Sequence, residues 1–330
     1  MVKVTVLGSG GWGIALALSA YKNGCKVALW SPFPEEVELL REKRTNEKLL
    51  KGIFLPQDIE ITDDMSVVEG DTLTIIATPS TAVRSVAQKL KNYKDFGIVI
   101  NVSKGLEKDS LKRLSEVISE ELPEIPLVIL SGPSHAEEVA RNVPTSLVAA
   151  SKSLPASQAV QNILSSDSLR VYTSGDLVGV ELGGALKNVI AIAAGVCEGL
   201  KLGDNTRAAL ITRGLAEMCR LGVCMGAKET TFSGLTGLGD LIVTCTSQHS
   251  RNNRCGQLIG KGMSYEDARK EIGMVVEGYH ALEAAMELSK KYDVELPITE
   301  AVHKVIKEGL SPKEAMFALM TRDLKSELSD

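Results

Sequence analysis

The chain opens on an apolar run, Val2-Lys3-Val4-Thr5-Val6-Leu7, short and rich in β-branched residues, which predicts a buried strand. Behind it stand Gly8-Ser9-Gly10-Gly11-Trp12-Gly13, then Ile14-Ala15-Leu16-Ala17-Leu18, strong helix formers with no breaker before Gly24. Strand-like runs recur at Lys26–Trp30, Leu73–Ile76, Ile98–Ile100, Leu127–Leu130 and Ser146–Ala149. A charged helical segment from about Glu35 to Leu50 and amphipathic segments near Thr81–Lys91 and Leu111–Glu121 separate them. Strands alternating with helices predict an α/β fold with a doubly wound parallel sheet. From about Gly175 the strand pattern fades. Leu177–Leu200, Asn205–Leu221, Tyr265–Ile272, Gly278–Tyr292, Ile298–Glu308 and Pro312–Leu319 read as helices. With 330 residues, the chain divides into a dinucleotide-binding domain over 1–174 and an α-helical substrate domain over 175–330. No Pro, Gly or Ser linker marks the boundary, and no fixed-period repeat is visible.

The glycine stretch sits where a dinucleotide fingerprint requires it, between a strand and a helix. Gly8 permits the tight turn, Gly10 lets backbone approach a pyrophosphate, and Gly13 lets helix and strand pack closely. The helix N-terminus adds unpaired N–H groups and a positive dipole end. A plain glycine-rich turn is the bland alternative, and the flanking strand and helix favour the nucleotide. The end of the second strand is less explicit. An acid there selects the ribose hydroxyls of NAD, and an arginine nearby accommodates the 2′-phosphate of NADP. This chain has Ser31-Pro32-Phe33-Pro34, with the first acids, Glu35 and Glu36, only in the next helical segment. The choice between NADH and NADPH is open.

Composition narrows the partners. A 44% hydrophobic, 24% charged chain is an ordinary soluble globular one. Aromatics at 4% supply no stacking platform for single-stranded nucleic acid, and a net charge of 37 − 42 = −5 counts against a phosphate-backbone binder. The six cysteines form no CxxC pair and no zinc spacing with histidine, so they read as free buried thiols in a reducing compartment and no metal is expected. The N-terminus reads as no signal peptide, and the longest apolar stretch, Val189–Cys197, is far short of a membrane span. A cytoplasmic protein with a small-molecule substrate, no nucleic acid and no membrane partner is expected.

Parallel sheets bind ligands beyond the carboxyl ends of their strands. Here those ends carry Thr78-Pro79-Ser80, Ser103-Lys104-Gly105 and Ser131-Gly132-Pro133-Ser134. Ser134 and Glu137 fit a capping box at a helix start, which at that edge also offers N–H groups to an anion. Lys187 lies in the nearly all-apolar helix Val180–Ile190, where an ammonium is costly unless it has a partner or a task. Gly183, Gly184 and Ala191 strip its flank of side chains. Either the stripe allows close packing while Lys187 snorkels to the surface, or it leaves room for a substrate beside an ammonium whose pKa burial has lowered. Thr231–Leu241 reads as a glycine-punctuated loop in which Asp240 either caps a helix or orients a catalytic cation. Ser250-Arg251-Asn252 suits a phosphate, or is a solvated basic turn. His135 is the histidine nearest these residues, without a Ser/His/Asp pattern around it.

Seven segments together carry a resemblance: Gly8–Gly13, Val102–Gly105, Ser131–Val139, Glu181–Asn188, Phe232–Cys245, Ser250–Asn252 and Val275–Gly278. Over nearly its whole length the chain resembles the bacterial-type NAD(P)-dependent sn-glycerol-3-phosphate dehydrogenases. The resemblance implies a Rossmann domain followed by an all-α domain resembling that of 6-phosphogluconate dehydrogenase. It implies reversible reduction of dihydroxyacetone phosphate to glycerol 3-phosphate, which feeds phospholipid synthesis, with NAD or NADP as cofactor and a homodimeric assembly. Lys187 matches the general acid/base. Lys104, Gly132, Ser134, Asp240, Ser250, Arg251 and Asn252 match substrate contacts, with Asp240 holding the Lys187 ammonium. Gly11, Trp12, Ala136, Arg251, Val275 and Glu277 match cofactor contacts, with Lys104 near both ligands. The chain departs from many relatives at Pro32 and Phe33, where they carry basic residues. Three rival readings remain: a dehydrogenase of β-hydroxyacids or 6-phosphogluconate, a methyltransferase with a similar glycine loop, and a nucleotide-sensing regulator without catalysis.

Overall fold

The computed structural model describes residues 1–324, 326 and 327. Its eight strands are β1 (Lys3–Leu7), β2 (Lys26–Trp30), β3 (Glu60–Thr62), β4 (Leu73–Ile76), β5 (Ile98–Asn101), β6 (Leu127–Ser131), β7 (Thr145–Ala150) and β8 (Leu169–Ser174). They form one sheet in the order β3-β2-β1-β4-β5-β6-β7-β8. The helices between them are α1 (Gly11–Lys22), α2 (Pro34–Lys43), α3 (Val83–Leu90), α4 (Leu114–Glu121), α5 (Ala136–Ala140) and α6 (Leu154–Leu164). The order reverses beside β1, the switch point at which doubly wound sheets bind nucleotides. Both faces are covered. β1, β4 and β5 are buried almost throughout, as a parallel sheet between helix layers requires.

The sheet is parallel except at one junction, where β7 runs antiparallel to β6. The reason is length. The only helix between them, α5, has five residues and rises about 7.5 Å, against roughly 17 Å for a five-residue strand. It cannot carry the chain back to the far edge, so β7 starts near where β6 ends. β8, after the longer α6, is again parallel to β7. Two helix limits also differ from the periodicity. The charged segment after β2 stops at Lys43, because Arg44 takes a left-handed backbone (φ 53). The segment before β6 starts only at Leu114, since Leu111 has φ 57.

The second half is helical: α7 (Leu177–Gly199), α8 (Gly203–Cys224), α9 (Glu229–Phe232), α10 (Asp240–Thr246), α11 (Arg251–Gly260), α12 (Tyr265–Ile272), α13 (Glu277–Tyr292), α14 (Pro297–Lys307) and α15 (Pro312–Met320). A π-helical turn, Leu235–Gly239, precedes α10. By packing, one compact unit comprises Met1–Ala185 with Gly226–Asp240, and the other Leu186–Met225 with the chain from Leu241 onward. The first unit therefore runs past residue 174 into α7. Asp176 ties in the returning segment, accepting hydrogen bonds from Gly179 N, Lys228 N and Thr231 Oγ1. At Gly183 a Cβ would stand 2.4 Å from Thr236 O, so helix and π-turn meet backbone to backbone. With 23 residues, α7 is long and apolar enough to cross a membrane, unlike its Val189–Cys197 stretch alone, but it is buried within the protein.

Candidate active site

In the first unit the fingerprint glycines divide their tasks by geometry. A Cβ on Gly8 (φ 127) would lie 2.5 Å from Ala77 O, and one on Gly13 2.0 Å from Gly8 O, so neither tolerates a side chain. Gly10 is different. No protein atom lies within 4 Å of its Cβ position, and as N-cap of α1 it offers no side chain to the first-turn N–H groups. Those donors and that open approach fit a pyrophosphate. Gly11 lies against α5, its Cβ position 3.6 Å from the Ala136 methyl, while half-buried Trp12 packs on the sheet core. The glycine turn thus fits the dinucleotide it predicts.

At the edge beyond β5 and β6 a second cluster assembles. Asn101, fully buried, accepts from Ser103 N through Oδ1 (3.3 Å) and donates through Nδ2 to Ser103 O (3.1 Å), while Ser103 Oγ donates to Thr78 O (2.6 Å). That turn presents Lys104, whose ammonium donates to Gly132 O (3.0 Å) and pairs with Asp240 Oδ2 at 2.7 Å. Asp240 is 1% exposed, so this ion pair compensates a carboxylate that would otherwise be costly to bury. Ser134 Oγ also donates to Gly132 O (2.9 Å). The Ser134–Glu137 capping box does not form. The N-cap residue of α5 is His135, one position later, and it makes no side-chain cap; the Ser134 hydroxyl serves the Gly132 carbonyl instead. Glycine at 184 admits the same cluster, its Cβ position lying 3.0 Å from Ser131 Oγ and 3.5 Å from Lys104 Cγ. Arg113 Nη1 and the Ser115 hydroxyl bond Glu181 Oε2, anchoring this end of α7.

In the second unit Lys187 is buried (5% exposed) and does not snorkel; its Nζ donates to Thr244 Oγ1 at 2.7 Å. Thr244 lies one turn beyond Asp240 on α10. The run Ser250–Arg254 is no solvated turn. Ser250 caps α11, accepting from Asn253 N at 3.2 Å, and Arg251, half-buried, opens the helix. Asn252 bridges three helices, donating to Asn188 Oδ1 (2.9 Å) and accepting from Gly278 N (2.9 Å). Val275, 51% exposed, leads into α13, where half-buried Glu277 is the first residue. Arg251 and Val275 join none of these hydrogen-bonded groups. Among the described residues no cluster of three or more His, Cys, Asp or Glu side chains is arranged for a metal, and none of the six cysteines forms a disulfide; Cys25, Cys245 and Cys255 are buried, Cys197 and Cys219 half-buried and Cys224 exposed.

Residues 3–157 match the family model for the N-terminus of NAD-dependent glycerol-3-phosphate dehydrogenase, and residues 176–317 match that for its C-terminus. The chain belongs to this family. A glycerol-3-phosphate dehydrogenase [NAD(P)+] of Fusobacterium nucleatum is 51% identical to it over 332 aligned positions, covering 99% of each chain. One of Desulfitobacterium hafniense is 49% identical, covering 100% of this chain and 94% of its own. The crystal structure of the Coxiella burnetii glycerol-3-phosphate dehydrogenase superposes with a TM-score of 0.93 at 39% identity, over 97% of this chain and 99% of that one.

Among family-matched residues, Asn101, Asn188 and Thr244 escape a reading of isolated side chains. Asn101 ends a buried strand, where a polar residue that must find partners is a usable signal. Thr244 carries none, since a threonine in an apolar helix is ordinary. Asn188 stands beside Lys187 in the matched stretch, and its bond to Asn252 appears only in three dimensions.

Proposed function

We infer that the chain is an NAD(P)H-dependent glycerol-3-phosphate dehydrogenase, an oxidoreductase that reversibly reduces dihydroxyacetone phosphate to sn-glycerol 3-phosphate. The observation that carries this reading is the match of both halves to the two models of one dehydrogenase family. The nucleotide is assigned to residues 1–174, with Gly8, Gly10, Gly11, Trp12, Gly13, Lys104 and Ala136 as its contacts there. The helical part, 175–330, adds Arg251, Val275 and Glu277. Substrate is assigned to Lys104, Gly132, Ser134, Lys187, Asp240, Ser250, Arg251 and Asn252. When bound, the reduced nicotinamide supplies a hydride to the carbonyl carbon. Lys187 delivers the proton to the developing alkoxide and recovers it in the reverse direction. Its burial beside Thr244 supports this, since an ammonium in a dry site stabilises nearby negative charge strongly. Asp240 orients that ammonium, and Arg251 with Asn252 holds the phosphate, a guanidinium fork being suited to it.

We further infer that the enzyme works in the cytoplasm as a homodimer and that its product feeds glycerophospholipid synthesis. The test is loss of reduced-nicotinamide absorbance on addition of dihydroxyacetone phosphate, with glyceraldehyde 3-phosphate and a β-ketoacid as controls. Oxidation specific to dihydroxyacetone phosphate supports the assignment; oxidation only with the β-ketoacid transfers the chain to the hydroxyacid dehydrogenases.

A further inference from the structure

We propose that the loop following β2 makes this chain selective for NADH over NADPH, with Glu36 as the residue that reads the adenosine ribose; the proposal rests on the dehydrogenase reading above. In doubly wound sheets the group at the end of the second strand meets the ribose 2′ position. Ser31 occupies that place, 1% exposed, and by itself reads neither cofactor. Its hydroxyl, however, donates to Glu36 Oε2 at 2.6 Å. The carboxylate missing from the strand end is thereby delivered to it from the first turn of α2, five residues on. Oε1 of Glu36 accepts no hydrogen bond from the described residues, and the side chain is only half-buried, so it can accept from a ribose hydroxyl.

Among the described residues no cation pairs with Glu36. Pro32 and Phe33 are exposed and carry no side-chain donor. The arginines of this segment are engaged by backbone carbonyls. Arg41 Nε donates to Ile61 O at 2.7 Å, and Arg44 Nη1 to Ile59 O at 2.8 Å and Pro56 O at 3.3 Å. A 2′-phosphate, carrying close to two negative charges, would meet a carboxylate fixed by Ser31 and no guanidinium. Like charges brought together in this way disfavour a partner strongly. A 2′-hydroxyl would instead donate to the same carboxylate.

The experiment is titration of the full chain with NADH and with NADPH, followed by quenching of tryptophan fluorescence, for the parent, Glu36→Gln and Phe33→Arg. The parent is expected to bind NADH at least about tenfold more tightly, roughly the least that a single like-charge contact should cost. Glu36→Gln should narrow the ratio mainly by tightening NADPH, and Phe33→Arg should do so independently by adding a cation. Equal affinity of the parent for the two cofactors, or a ratio unmoved by both substitutions, overturns the selectivity. Binding of neither cofactor by the parent removes the dehydrogenase reading itself, and the selectivity with it.

Discussion

Lys187 and Thr244 show what a single buried ammonium demands. Ammonium hydration is lost in the apolar interior, and the hydroxyl at 2.7 Å returns part of it while fixing the direction of Nζ. Lys187→Ala is therefore expected to abolish turnover and leave cofactor affinity nearly unchanged. Near-parental turnover would take Lys187 out of the reaction. Thr244→Val keeps the shape and removes the acceptor. It should lower kcat by roughly ten- to a hundredfold, the ~1.5–3 kcal/mol of a hydrogen bond to a charged group, with cofactor binding intact, and Thr244→Ser should restore most of it. If valine and serine behave alike, the hydroxyl does not position the lysine. Lys187 was legible in sequence because a cation in an apolar helix contradicts its surroundings. Ser134 misleads for the opposite reason: its local pattern is a complete capping box, yet α5 starts one residue later, with His135 as its N-cap.

At the scale of elements, α7 and α11 cross through glycines on both sides. Cβ atoms on Gly195 and Gly199 would stand 2.0 Å from Asn253 O and 2.4 Å from Gln257 O. On the facing helix, those on Gly256 and Gly260 would stand 2.0 Å from Ile192 O and 2.5 Å from Val196 O. Each helix thus carries a pair spaced by one turn, and the two backbones touch. Such contact fixes the height of Ser250, Arg251 and Asn252 relative to α7, with the Asn252–Asn188 bond as a second tie. Gly256→Ala forces the helices apart and should cost about 1–3 kcal/mol or more. The expected readouts are a lower melting temperature and a raised KM for dihydroxyacetone phosphate. An unchanged KM would detach the helix crossing from substrate binding. This crossing explains why α11 was not foreseen as a helix, since Asn and Gly have low helix propensity and tertiary packing supplies what they lack. The long strands and the apolar α7 were readable because burial shaped every residue in them. Three-residue β3 and the edge strand β8, where only alternate residues turn inward, left too little pattern.

For the molecule as a whole, two carboxyls buried in different units oppose the acid sensitivity of its surface. Burial raises Glu181, although Arg113 and Ser115 bond it, and burial raises Glu217, although it accepts from the backbone N–H groups of Ile298 and Thr299 at the start of α14. Surface groups shift the other way. Lys91 and Arg84 hold Glu121 down at about 2, and Arg84 lowers Glu107. A carboxyl whose folded pKa lies above its ordinary 4.5 is protonated in both states at low pH. As pH rises, the unfolded chain releases that proton first, so stability falls until the folded group ionises as well. A carboxyl with a lowered folded value gains stability over the pH range below 4.5 instead. The parent's own melting curve mixes both signs, and the difference between variant and parent separates them. Glu217→Gln, which cannot ionise, loses one acceptor at all pH values and should start out less stable than the parent at pH near 4. Its deficit should then shrink as pH rises from about 4.5 toward neutrality, because the parent alone must bury a charge. A deficit that stays constant or widens over that range would mean that the N–H donors of α14 outweigh burial at Glu217.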